Sequence, residues 1–289
     1  MSLIGTLTSG VSALRSFTRG LEIIGNNVAN VNTTGFKGSK ASFSESFSNT
    51  LQGSAPSGTL GSNQSAMQIG TGVQLSAVKA RFTQGALTTT GVGTDLGVSG
   101  NGFFRVNNSL DGTSYATRAG DFRMDDNGYL VTTKGYRVQG LTGGDATNPP
   151  TTVGDVRLGT PPAGEQLQSF SLDRQGNMIE FYSDGSSATT NRVLLQTYSD
   201  PSSLTRVGDN LFSGLATAGP VGGLALSAAS NGPGSGGLGT IESGTLELSN
   251  VDLTEQFADM ITAQRSFQAS SRIVTISDSV LEEIVNLKR

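Results

Sequence analysis

Three short stretches of this chain have the residue types and spacing of reactive sites. Ser76-Ala-Val-Lys79 has the serine-x-x-lysine step of an acylating serine activated by an amine. Asp125-Asp126-Asn127-Gly128 gathers oxygen ligands as a calcium loop does, and the pairs Gly91/Gly93 and Gly100/Gly102 resemble the start of a phosphate-cradling loop. Each lacks what its chemistry needs. Ser76 and Lys79 fall in a predicted strand without the companion motifs of that enzyme class. The acidic stretch does not follow the alternating ligand spacing of an EF-hand, and no glutamate closes it, so it reads as a hairpin turn. The glycines do not complete G-x-G-x-x-G and no strand–helix–strand unit surrounds them, so they are expected at bulges or strand ends. Histidine, cysteine and tryptophan are absent from all 289 residues. That removes the commonest general base, any disulfide, and the usual ligands of zinc, copper and haem. The expectation is a protein with no catalytic residues, cofactor or metal.

The elements around these stretches explain more. With 40 glycines, 8 prolines, 35% hydrophobic and only 15% charged residues, the chain is turn-rich and β-rich with a nearly neutral surface. Its net charge of −4 and the lack of a basic block argue against nucleic acid or anionic lipid as a partner. The opening MSLIGTLTSGVSALRSFTRG has neither a basic n-region nor an unbroken apolar run, so no cleaved secretory signal is expected. No stretch approaches the roughly 20 apolar residues of a membrane span, and no membrane insertion is expected.

Both ends carry heptad seams. Leu7, Leu14, Leu21 and Val28 occupy one position, and Leu3, Phe17, Ile24 and Val31 the companion position, with Gly10 in its one gap. The spacing predicts a helix over residues 2 to about 31, capped by Ser2 and stopped by Asn30, Asn32 and Gly35. At the other end Leu253, Met260, Phe267, Val274 and Leu281 repeat every seven residues, with Ile273, Val280 and Leu287 in a parallel row. Asp252 and Glu255 have capping-box spacing at its start. Such seams fit an intramolecular helix pair as well as a contact between copies.

Between the ends, period-two alternation and turn dipeptides take over. Asp111–Gly112, Asn127–Gly128 and Asp184–Gly185 sit between β-prone runs and predict hairpins. Residues 51–66 and 219–240 are rich in Gly, Ser and Pro and read as flexible connectors, while the loop at 143–155 could mark a lost insertion. The fold class is α+β: paired long N- and C-terminal helices, coiled-coil-like, around an antiparallel β-rich middle. The boundaries are 1–31 and 246–289 for the helical domain, 32–71 for a connector, 72–218 for the β-rich domain and 219–245 for a return connector.

Gly5, Gly10, Gly20 and Gly25 lie inside the first helix and cost it about 3–4 kcal/mol relative to alanine. A helix so weakened, without dense e/g charges, is expected to be disordered alone and ordered among copies of itself. The asparagines of the stop can bond both backbone and neighbouring chains where a helix ends.

With those residues in view, IIGNNVANVNTTGFKGS at 23–39, carrying Asn26, Asn27, Ala29, Asn30, Asn32, Gly35 and Phe36, closely resembles the N-terminal signature of the bacterial flagellar axial proteins, the rod and hook family. The segment from 246 to 289 is similar to its C-terminal signature, and 69–106 and 200–212 resemble its β domain. Within the family the ending looks most like the hook branch, with the distal rod as the alternative because the chain is short. The resemblance implies a homo-oligomeric helical tube with the terminal helices innermost and the β domain outside, 32–71 touching neighbouring subunits. It implies rod and hook–filament junction proteins and a hook cap as partners. For the hook branch it implies a universal joint carrying torque while bending, with the Gly/Ser-rich connectors as the compliant parts. It further implies export by the type III apparatus to the extracellular hook, or to the basal-body rod. Phe43 and Phe47 in FSESF match the pattern such proteins present to the export gate; the same residues could instead be packing anchors at helical spacing. A secreted β-rich adhesin or a phage fibre would explain the middle of the chain but not its matched ends.

Overall fold

The computed structural model describes residues 3–54, 65–145, 148–159, 161 and 165–287. The fold is α+β. The chain divides into two compact units, one made of Met1–Ala29, Gly38–Arg81 and Val251–Arg289, the other of Asn30–Lys37 and Phe82–Asn250.

The first unit pairs helix α1 (Leu3–Ala29) with helix α2 (Leu253–Leu287). At about 1.5 Å per residue they are roughly 40 and 52 Å long. They run antiparallel: Thr6 Oγ1 meets Ser277 Oγ at 3.3 Å near one end, and Asn27 Nδ2 donates to Gln256 Oε1 at 2.8 Å near the other. Glycine sets their spacing. A Cβ added at Gly10 would stand 2.9 Å from Val274 Cγ2, so the backbone approaches where a side chain would forbid it. Residues 38–81, read as connector and first strand, contribute two antiparallel pairs here, β1 (Ser39–Glu45) with β4 (Val73–Ala80) and β2 (Ser48–Gln52) with β3 (Met67–Gly70). α1 lies on β4, where Ser16 Oγ donates to the Val73 carbonyl at 3.2 Å and the Val73 N–H to Ser12 Oγ at 3.3 Å. Ser76 and Lys79 lie on β4 as expected, with Ser76 at the bulge where the pairing to β1 passes from Ala77 to Leu75. The expected cap Ser2 and residues 55–64 of the first connector lie outside the described residues.

α1 ends at Ala29, so Val31 sits in the following turn and not on the seam. Gly35, expected to help stop the helix, takes φ +66° only later in that loop. No residue from 30 to 34 has positive φ, so the helix ends without a left-handed cap. At the start of α2 Asp252 is a true cap: its Oδ1 accepts the N–H of Thr254 at 2.7 Å and of Glu255 at 3.3 Å. The other half of the box is unmade, because Glu255 turns to Arg81, 2.9 Å away. Those backbone donors hold the Asp252 carboxyl below the usual aspartate range. A depressed carboxyl stabilises the fold above its unfolded pKa, about 3.9, and the contribution fades as pH falls through the lower folded value. The amides of Thr254 and Glu255 should therefore gain exchange in the wild type on acidification below about pH 4, an acid step that Asp252→Ala removes.

The second unit holds every fully buried apolar side chain among the described residues. Its strands are β5 (Leu87–Thr89), β6 (Leu96–Ser99), β7 (Phe103–Asn107), β8 (Ser114–Thr117), β9 (Phe122–Met124), β10 (Leu130–Thr132), β11 (Arg137–Thr142), β12 (Thr152–Asp155), β13 (Leu167–Leu172), β14 (Asn177–Tyr182), β15 (Ser187–Val193), β16 (Leu195–Gln196), β17 (Thr205–Gly208), β18 (Leu211–Ser213), β19 (Thr240–Ser243) and β20 (Thr245–Glu247). A 12-stranded antiparallel sheet runs β13-β14-β15-β11-β7-β8-β18-β17, with the others of its set pairing along it. β7 is buried on both faces: Phe104 joins the main core with Leu96, Leu130 and Ile241, while Phe103 joins a second cluster with Tyr198 and Phe212. All three turn dipeptides link consecutive strands, β7–β8, β9–β10 and β14–β15, with Gly112, Gly128 and Gly185 at positive φ. A further hairpin, β17–β18, turns on Asp209 and Asn210 at φ 50° and 57°, which the sequence pattern did not single out. Residues 219–245 carry one helical turn at Ala228–Asn231 and β19, which pairs with β6.

Candidate assembly surface

In the first unit the buried positions are not the apolar ones. α2 buries Gln256, Ser270 and Ser277, and α1 buries Gly10, Ser16, Gly20 and Asn27. Gln256, Ala263, Ser270 and Ser277 recur every seven residues and alternate with Met260, Phe267, Val274 and Leu281, so the row beside the apolar heptad is made of small and polar residues. Polar rows give no hydrophobicity signal, which is why the sequence pattern shows only half of this seam. Of the expected seam residues, Leu7, Leu14, Phe17, Leu21, Ile24, Val28, Met260, Val274 and Leu281 are half-buried, and Leu253 and Phe267 are exposed. Leu3 opens α1.

The parallel row of α2 stays exposed, with Ile273 at its edge beside Gly10 of α1. Ile273, Ile276, Val280, Ile284 and Leu287 follow i, i+3, i+4 spacing, rotated by about 100° from the stripe that holds Val274 and Leu281. They are 36–85% exposed. Phe257 and Ile261 add to this apolar surface nearer the start of the helix, at 50% and 59%. A helix apolar on more than one side is built to be covered on more than one side. Against about 25 cal/mol per Å² of apolar area removed from water, this uncovered stripe is a large unused driving force.

Asn27, 2% exposed, makes the asparagine bonds expected at the helix stop, and makes them inside its own chain. Its Nδ2 donates to the Ser39 carbonyl at 2.7 Å, and its Oδ1 accepts the Ser39 N–H at 2.9 Å. Asn30 Oδ1 accepts from Thr33 Oγ1 at 3.1 Å; Asn26, Ala29 and Asn32 are exposed. Gly35 and Phe36 are buried, and a Cβ at Gly35 would meet the backbone N of Ala119 at 2.5 Å. Lys37 follows, with its Nζ 2.6 Å from Glu247 Oε1 and no side-chain exposure on either residue. Burial pushes the Lys37 ammonium down from its usual range, and the facing carboxylate opposes that shift. Phe43 and Phe47 are not helical. Phe43 lies on β1, 42% exposed, with its ring 6.0 Å from Phe17, and Phe47, in the link to β2, is 78% exposed.

No helix among the described residues is long and apolar enough to cross a membrane. Residues 7–37 match the family described as flagella basal body rod protein, residues 97–180 the flagellar hook protein FlgE/F/G D1 domain, and residues 242–287 the flagellar basal body rod FlgEFG protein C-terminal region. The flagellar basal-body rod protein FlgG of Bacillus subtilis is 37% identical over 287 residues, covering 99% of this chain and 100% of that one. The FlgG of Borreliella burgdorferi is 30% identical over 100% of this chain and 99% of its own. The flagellar hook protein FlgE of the same organism is 23% identical, in an alignment stretched to 450 positions to cover 99% of this chain and 100% of the relative. Matched from end to end by such relatives, the chain belongs to the flagellar rod and hook family of axial proteins.

Proposed function

We propose that the chain is a distal-rod subunit, polymerising with copies of itself into the tube that carries torque outward from the basal body. The ending of the sequence, read above as hook-like, matches a region that rod and hook proteins share. The whole-length match to the rod relatives, needing no large gap, favours the rod, whereas the hook relative carries a long stretch with no counterpart here. The observation that carries self-assembly is that the described residues of the first unit form no apolar core: those buried are glycine, serine, asparagine and glutamine, while the large apolar side chains among them stay half-covered or open. Such a unit gains most of its order from other copies. Export through the type III apparatus, with Phe43 and Phe47 offered in extended chain, fits the same reading, as do neighbouring rod proteins as partners.

Two measurements test it. Deleting the gene should leave basal bodies with a shortened rod and no hook; a full-length rod that lacks only the hook would return the assignment to the hook branch. In dilute purified chain, amides of α1 and α2 should exchange rapidly and become protected on assembly. Equal protection of both helices before and after would remove self-assembly as the source of their order.

A further inference from the structure

The chain enters or leaves the second unit at residues 30, 37, 82 and 250. The segments at three of these points converge on one side chain. Glu247 Oε1 accepts from Lys37 Nζ at 2.6 Å and from the Gly85 N–H at 2.8 Å, and Oε2 from Arg118 Nη1 at 3.2 Å. The Glu247 carbonyl accepts the Gly35 N–H at 2.7 Å. Lys37 Nζ also donates to the Thr83 carbonyl at 2.9 Å. Asn250 closes the ring, its Nδ2 reaching Thr83 O at 3.0 Å and its N–H reaching Phe36 O at 3.4 Å.

We propose that Lys37, Arg118 and Glu247 form a register lock, a buried charge cluster that holds segments 35–37, 83–85 and 247–250 in one alignment. It is a costly way to gain stability. Side-chain exposure is 0%, 4% and 0%, two cations share one carboxylate, and Arg118 Nε has no partner. Apolar residues of similar volume commonly replace such clusters without loss of stability, so the directionality of charge is what the cluster adds. Directionality is needed at this point. β20 is held to β5 by three residue pairs, Thr245↔Thr89, Leu246↔Thr88 and Glu247↔Leu87, with one further backbone bond past each end, Leu248 N–H to Ala86 O and Thr90 N–H to Gly244 O. A slip by one residue in so short a ladder turns each side chain to the opposite face, and nothing in Thr-Leu-Glu against Leu-Thr-Thr forbids it. With Glu247 pinned between Lys37 and Arg118, the slipped ladder would bury three unpaired charges.

The lock concerns the second unit by itself and does not depend on which axial structure the chain builds. The test compares the full-length wild type with Lys37→Met/Arg118→Met/Glu247→Met, and with Glu247→Gln as a control that leaves both cations facing a neutral group. The triple variant should melt within about 4 °C of the wild type or above it, while the amides of Gly35, Gly85 and Asn250 exchange about tenfold faster or more. Glu247→Gln should lose both melting temperature and protection. Wild-type protection of the three amides in the triple variant would overturn the lock. So would a fall in melting with protection lost evenly across the unit, which would mark the cluster as a plain stability element.

Discussion

Replacing Ile276 and Ile284 together with aspartate abolishes assembly and leaves the melting of the second unit unchanged. Both side chains stand open on α2, at 62% and 50% exposure, so neither holds the isolated chain together. In the proposed tube they would be covered, and each fully buried isoleucine is worth about 1.5–3 kcal/mol. Aspartate forfeits that gain and adds the cost of a buried, unpaired carboxylate, and every copy in the tube carries the penalty. The loss exceeds what a contact between two weakly associating subunits can absorb. Pelleting and electron microscopy read the polymer, and thermal unfolding reads the monomer. Tubes forming at the wild-type concentration would show that this stripe is not an interface.

Gly35→Ala acts through the fold instead. The position combines two prohibitions: φ +66°, which disfavours any Cβ, and backbone atoms of Ala119 and Arg118 at 2.5 and 2.7 Å from where that Cβ would stand. Flexible side chains can yield, but these neighbours are main chain. The expected loss is above about 3 kcal/mol, or a fall in melting temperature of about 6–12 °C for a unit of this size. Gly25 offers the contrast inside the same signature. Nothing lies within 4 Å of its added Cβ, so Gly25→Ala should leave the melting of the second unit alone and strengthen α1 by about 1 kcal/mol. Equal melting of the Gly35→Ala variant and the wild type would mean the loop can be redrawn without Ala119.

What could be read directly from the residues was local. Asp111–Gly112, Asn127–Gly128 and Asp184–Gly185 specify their hairpins within a few positions, and heptads at both ends specify helices whatever covers them. Asp252 declares its cap by spacing alone. The unread part is long-range. Glu247 looks like any strand-end acid until Lys37 and Arg118 arrive from far along the chain. Gly35 resembles a helix cap, and its real constraint comes from Ala119. The inner row of α2 was invisible because serine and alanine at a buried position look like serine and alanine at an open one. β1 to β3 read as connector because Ser- and Gly-rich strands, mostly exposed, lack the alternation of a half-buried sheet. The ending of the chain does not separate rod from hook, since the family match there spans both.

The closeness of α1 to α2 rests on absent atoms. Most protein interiors can drift in either direction, losing a methyl here and gaining one there, because large residues have room to shrink. Gly10 cannot become smaller, and Ser270 and Ser277 have little left to give up. Mutation at these sites runs one way, toward bulk, and each step wedges the two rods apart. The helix pair is therefore a ratchet set against enlargement, and its evolutionary history should be legible as a ceiling on volume and not as a preference for any one amino acid.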